Sequence, residues 1–470
     1  MKIVVLNPPM DNGVIYMKEL GRCGRKSVAG EVWPQTGLAY IAAVLREAGH
    51  EILFMDAMAS RLSTSETLSR IKTFQPRLAI IHTTTPTFKN DVALLKEIKT
   101  QTGAICGLVG THPTALPEET LLQTESDFVI ISEAEMTIRD LVEKIDQDWS
   151  EVLGLAYKKN GMVKLNPARP LYPDIDSFPF PARDLMPVES YTMPFFGSEP
   201  FVTVIPSRGC PFQCVFCRAG QVWGETTRHR SPDNVCDELE EIINKFGIRN
   251  IVMMTDTLTL KVSWTEALCQ RIIDRGIKIR WIGNSRVDTV SPKLLKLMRQ
   301  SGCEILSYGL ESGNQEILDS SKKNINLDQT IQAIKWTREA GIMTFGYFIV
   351  GLPGETWDTI HDSINFAIKA NPDYVNFHVA TPFPGTELYS IAKSKGWLIT
   401  DDWTQYEEEG SAVMRTEHLT PEDLVKAQKM AMRRFYLRPS KILREMVLTI
   451  KTPQMLTSKV KAALKVLSDI

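Results

Sequence analysis

Short apolar runs recur through the first 145 residues, and stretches with helical spacing lie between them. Runs at 3–6, 52–55, 78–82, 104–109 and 127–131 have the length and aliphatic content of buried strands. Residues 37–49 read as a helix, with Leu38, Ile41, Ala42 and Leu45 on one face and Gly49 as its stop. Strands alternating with helices predict an α/β fold, a doubly wound parallel sheet over residues 1–145. Ligands of such sheets bind beyond the carboxyl ends of the strands. Those ends carry Asp56, Thr83-Thr84, Gly110-Thr111-His112 and Glu133. The pattern changes between 146 and 200. There Asn160-Gly161 marks a hairpin turn, and Pro167, Pro170, Pro173, Pro179, Pro181 and Pro187 mark an extended linker. From 201 to 395 the alternation resumes, with candidate strands at 202–205, 250–254, 280–283, 304–309, 344–350 and 374–379. Six such units predict a partial (β/α)6 barrel with its chemistry at the carboxyl face. Residues 396–470 are expected to append helices to it.

Composition adds few constraints. The 54 basic and 56 acidic residues nearly cancel, so overall charge gives no attraction to nucleic acid. No basic groove or aromatic ladder points that way either. No stretch approaches the roughly 18 apolar residues of a membrane span. The chain opens on a strand rather than a secretory leader, which predicts a reducing, cytoplasmic setting. Residues 429–470 are rich in Lys and Arg, and Leu443, Met446, Val447 and Ile450 recur there at helical spacing. A solvated basic face on a packed helix accounts for this pattern, with a peripheral membrane contact as the alternative.

Cys210, Cys214 and Cys217 change the picture most. Their C-x3-C-x2-C spacing falls just after the first barrel strand. Three thiolates can hold three irons of a four-iron cluster and leave the fourth iron open. A zinc site completed by His229 or Cys236 is the alternative, although zinc usually takes paired C-x2-C hooks. The other cysteines are scattered singly, which argues against a disulfide framework.

This spacing, with Phe216 before the last cysteine, closely resembles the signature of the radical S-adenosylmethionine (SAM) superfamily. The resemblance implies a 4Fe-4S cluster on Cys210, Cys214 and Cys217, with SAM chelating the open iron. Thr255 and Asp256 stand where the superfamily often has Gly-Gly-Glu, which implies that Asp256 meets the methionyl amine. Ser285 and Arg286 follow the third barrel strand, and Arg286 would hold the SAM carboxylate. Glu311, in a Gly-Leu-Glu-Ser-Gly run, would lie near SAM. Ile349 and Gly351 match the stretch that packs on adenine. His378 lies on the sixth strand, where a core role and a substrate contact both remain open.

The N-terminal domain resembles that of the cobalamin-binding radical SAM subfamily, through the run containing Gln35 and Thr36, the strand ending at Asp56, the loop 110–113 and Glu133. That likeness implies cobalamin contacts at Gln35, Thr36, Asp56, Thr83, Thr84, Gly110, Thr111, His112 and Glu133. Met58 stands where mutase-type corrinoid domains carry the cobalt-ligating His, so the implied cofactor is His-off. The implied reaction is methylation of an unactivated carbon, started by a deoxyadenosyl radical and fed by methylcobalamin. A large apolar small molecule, such as a tetrapyrrole pigment or a lipid, is the expected substrate. An external flavodoxin- or ferredoxin-type electron donor is the expected partner. A radical oxidative cyclase is the rival, since residues 19–23 also resemble anaerobic tetrapyrrole cyclases. A methylthiotransferase would need a second cluster, for which only Cys23 and Cys106 are at hand. A corrinoid-binding carrier or sensor is the alternative from another class.

Overall fold

A computed structural model describes residues 1–10, 13–20, 24–27 and 31–444. Five parallel strands open the fold: β1 (Lys2–Asn7), β2 (Glu51–Asp56), β3 (Leu78–His82), β4 (Ile105–Val109) and β5 (Phe128–Ile130). Their spatial order is β2-β1-β3-β4-β5, with Val4 opposite both Leu53 and Ala79. These strands are buried on both sides, which explains their continuous apolar runs. The helix Thr36–Glu47 is buried at every position from Thr36 to Leu45. It lies in an apolar cluster that also holds Phe201, Ile205, Val252 and Met254 of the barrel. One core therefore runs across the boundary between the two halves of the chain.

The hairpin assigned to the linker belongs to the edge of this sheet. β6 (Leu155–Lys159) and β7 (Met162–Leu165) add to it antiparallel, with Phe128 opposite Tyr157. Asn160 (φ 54°) and Gly161 (φ 75°) are both left-handed, as a tight hairpin turn requires. Phe128 and Tyr157 both pack edge-on against Trp149, which anchors the hairpin to the sheet.

Six further strands are all parallel and follow chain order: β8 (Phe201–Val204), β9 (Asn250–Met253), β10 (Arg280–Ser285), β11 (Cys303–Glu311), β12 (Met343–Val350) and β13 (Tyr374–Val379). β8 and β13 do not pair with each other, so this is the expected partial barrel. The segment 396–420 departs from expectation. It is irregular, bridged by Leu398 and Met414, because Val379 N donates to Glu408 O and makes it a partner to the free edge of β13. The helix Pro421–Tyr436 then packs on the barrel through Leu424, Ala427, Ala431 and Phe435. Thr420 and Asp423 cap its start reciprocally. Met446, Val447 and Ile450 lie outside the described residues. Among the described residues no helix is long and apolar enough to cross a membrane.

Candidate active site

The cysteine loop leaves β8 at the carboxyl face of the barrel. A short antiparallel pair, Ser207–Arg208 with Arg228–His229, holds its base. Gly209 takes φ 93°, and a Cβ there would stand 2.4 Å from Thr226 O, so only glycine fits the turn. Val215 N donates to Ser321 O at 3.1 Å, tying the loop to the turn after β11. All three cysteines are free thiols. Burial raises the thiols of Cys210 and Cys214 above their ordinary range. A bound cation would supply the countercharge that their thiolates lack. Of the alternative zinc ligands, Cys236 is removed from the loop, while His229 keeps a buried Nε2 without a hydrogen-bond partner. Cys236 lies in the barrel's helix-layer core, and the His229 ring packs on Trp264 at 4.8 Å. Three free thiols on one loop are the donor set of a cluster with one open iron, although among the described residues no three His, Cys, Asp or Glu side chains stand already converged on a metal position.

Around the loop the structure gathers most of the residues singled out for SAM. Asp256 is close enough to Cys210 for its charge to raise that thiol, after the larger effect of burial. Thr255 Oγ1 bonds Ser207 Oγ at 2.6 Å. Arg286 is buried, bidentate to Asp288 at 3.0 and 2.9 Å, and stacked over Phe212 at 3.6 Å. Ser285 turns to Thr259 and to Arg286 O. Glu311 holds φ 58° at the end of β11, an uncommon conformation for a non-glycine residue. Its carboxylate meets Lys323 Nζ at 2.6 Å, with both side chains buried. A Cβ on Gly309 would stand 2.2 Å from Glu311 Oε1, so glycine leaves room for this pair. Phe216 and Ile349 pack against one small apolar cluster with Ala380, Leu388 and Trp397. Gly351 (φ 95°) begins the next turn, closed by Glu355, whose Oε2 accepts from Gly351 N and Leu352 N.

The N-terminal strand ends face this loop. Gly110 takes φ 129°, and a Cβ there would stand 2.2 Å from Thr83 O. Thr84 Oγ1 bonds Thr87 Oγ1 at 3.0 Å. His112 bonds Thr85 Oγ1 at 3.2 Å and stacks on Phe88 at 4.2 Å. Burial lowers its pKa to about 3, so it is neutral. Gln35 bonds His82 Nδ1 and Lys18 O, while Thr36 reaches Thr203 of β8. Asp56 is enclosed by Asn7, Ala59 N and Tyr191. The Met58 sulfur is buried and accepts from Tyr16 N at 3.1 Å. These hydroxyls and glycine-exposed backbone groups suit the amide-rich rim of a corrinoid.

Several participants escaped the sequence reading. Lys323 sits in a Ser-Lys-Lys run that reads as a solvated turn. Arg208 is caged by Trp223, Tyr40 and Phe178, and pairs with Glu135 at 2.6 Å and Glu133 at 3.4 Å. Arg228 also grips Glu133, at 2.6 and 2.9 Å. Glu133, expected at a cofactor, thus serves the interface between the two halves. Arg218, directly after Cys217, reaches Thr111 O. Both ends of the cysteine loop are clamped to the N-terminal domain.

Residues 204–367 match the family model of the Radical SAM superfamily, and residues 24–142 match that of the B12 binding domain. An uncharacterized methyltransferase of Pyrococcus horikoshii is 34% identical over 95% of this chain and 94% of its own length. An anaerobic magnesium-protoporphyrin IX monomethyl ester cyclase of Cereibacter sphaeroides is 28% identical over 90% of this chain and 70% of its own. Among solved structures, the radical SAM methyltransferase TsrM of Kitasatospora setae superposes with a TM-score of 0.71. That likeness covers 93% of this chain and 90% of TsrM at 15% identity, and it speaks to the fold alone.

Proposed function

The chain belongs to the radical SAM superfamily and carries its B12-binding domain, and from that premise we propose that it methylates an unactivated carbon of a small molecule. The observation that carries this reading is the double clamp of Arg208 and Arg218, which turns the cysteine loop and the N-terminal strand ends toward one space. When bound, the cluster and SAM supply a radical that removes a substrate hydrogen atom, and cobalamin supplies the methyl group.

In this reading Cys210, Cys214 and Cys217 hold the cluster. Asp256 takes the amine of SAM, and Arg286, fixed by Asp288 and Phe212, takes its carboxylate. Glu311, held by Lys323, lies beside them. Phe216, Ile349 and the Gly351 turn receive the adenine. Gln35, Thr36, Thr83, Thr84, Gly110, Thr111 and His112 would form the rim that holds cobalamin. Asp56 shapes this rim from within the domain. An external low-potential donor supplies the electron. Of the substrates raised by the sequence, a planar aromatic molecule suits the barrel better than an aliphatic lipid, because its interior carries the aromatic cluster of Tyr347, Phe345 and Tyr374, the last two packed against Phe195. The cyclase relative favours a second reading, an oxidative cyclisation on the same scaffold.

The test is SAM cleavage by the anaerobically reconstituted, reduced enzyme. The account expects 5'-deoxyadenosine from the wild type and none from Cys214→Ala. Unchanged cleavage in the variant contradicts it. Without substrate, label from the methyl of SAM should collect in the corrinoid fraction; its absence there favours cyclisation.

A further inference from the structure

Alternate positions along β10–β13 are half-buried while their neighbours are buried. Asn284, Ser307, Phe345, Tyr347, Tyr374 and Asn376 belong to the half-buried set and face the barrel interior, where Phe195 packs edge-on against Phe345 and Tyr374 at 6.2 and 5.5 Å. Phe345 lies 4.8 Å from Tyr347 and 6.2 Å from Tyr374, ring to ring. The Tyr347 ring in turn stacks on His378 at 5.7 Å and 27°.

Two polar groups at this spot have unused capacity. His378 is 91% buried, and its Nδ1 makes no hydrogen bond. Glu408 Oε2 lies 3.6 Å from that nitrogen, too far for a hydrogen bond. Among the described residues nothing else bonds the Glu408 carboxylate. The carboxylates near it are all engaged: Glu407 by Tyr16 at 2.5 Å, Glu409 by Asn376 at 2.9 Å, and Glu311 by Lys323 at 2.6 Å. Arg25, from the N-terminal segment, stands 4.0 Å from Glu409. Glu408 and Glu409 thus share Arg25, while Lys323 is taken up by Glu311. Burial lowers the His378 pKa to about 3, so this ring adds no positive charge. Burial also raises the Glu408 carboxyl above its usual range, as expected of an acid without a full counterion.

We infer that Glu408 and His378 form the polar end of the substrate site and select a protonated nitrogen borne next to a planar ring. The inference rests on the reading that the barrel binds the molecule to be methylated. The nitrogen donates to Glu408 Oε2 and to His378 Nδ1, so both unused acceptors are satisfied together. The excess negative charge favours a cation over a neutral hydroxyl. The faces of Tyr347 and Phe345 receive the ring and add a cation–π attraction.

Tryptamine and tryptophol share one ring system and differ in a cationic amine against a neutral hydroxyl. Calorimetric titration of both into the holoenzyme reads the selection directly. Wild type is expected to bind tryptamine at least tenfold more tightly, and Glu408→Gln to reduce that preference below threefold. Should that variant fail to fold, Glu408→Asp withdraws the carboxylate and carries the same test. Equal binding of the two probes, no binding of either, or a preference retained in the variant overturns the inference. Deoxyadenosine release by the wild type, measured alongside, tests the reaction class separately.

Discussion

Arg208 Nη2 lies 2.6 Å from Glu135 Oε1, and this buried pair joins the cysteine loop to the N-terminal sheet. Arg208 stands two residues before Cys210, so the contact fixes where the loop begins relative to the strand ends. Removing one partner of a buried pair costs up to about 3–5 kcal/mol, and less here because Arg208 keeps Glu133 at 3.4 Å. Glu135→Gln is expected to lower the urea midpoint accordingly. Glu151→Gln, whose pair with Lys144 is exposed, should leave the midpoint unchanged. Equal midpoints for wild type and Glu135→Gln would show that the clamp contributes little.

Gly110 is the tightest backbone approach at the proposed cobalamin rim. Its φ of 129° and the 2.2 Å Cβ distance to Thr83 O admit no side chain. Gly110→Ala should cost on the order of 1–3 kcal/mol of strain and reduce cobalamin retained after gel filtration by more than half. Full retention would place the corrinoid elsewhere.

Lys323 holds Glu311 beside Cys214. Lys323→Met leaves the carboxylate buried without its cation. Equilibrium dialysis should register at least a tenfold weaker Kd for SAM, equivalent to about 1.4 kcal/mol. An unchanged Kd would remove Glu311 from the SAM site.

Glu355 is fully buried, and burial raises its pKa from 4.5 to about 8, against the opposing backbone bonds from Gly351 and Leu352. A raised folded pKa means that the folded state binds this proton more tightly than the unfolded one. The stability it confers is complete below about 4.5 and is lost as pH rises through about 8. Thermal melting should therefore fall across that window more steeply in wild type than in Glu355→Gln. Parallel profiles would contradict the assignment.

The sequence reveals local chemistry and misses pairings between distant segments. Cys210, Cys214 and Cys217 carry their meaning in their spacing, and the strand–helix alternation carries the sheet and the barrel. The resemblance implies a ligand contact at Glu133, but no local pattern shows that it pairs with Arg208 and Arg228, from 75 and 95 residues further along. Lys323 looks solvated in sequence and is buried only because its turn folds back over β11. The path of 396–420 depends on the free edge of β13, which no local pattern announces. Met58 could be placed by its register with Asp56, whereas the Tyr16 amide that occupies its sulfur could not.

The most direct measurement is iron and cobalt per chain, on protein produced with cobalamin and purified without oxygen. About four irons and one cobalt are predicted, with iron lost and cobalt kept in Cys214→Ala. Iron without cobalt in the wild type would contradict the account, because the N-terminal strand ends would then hold no methyl donor.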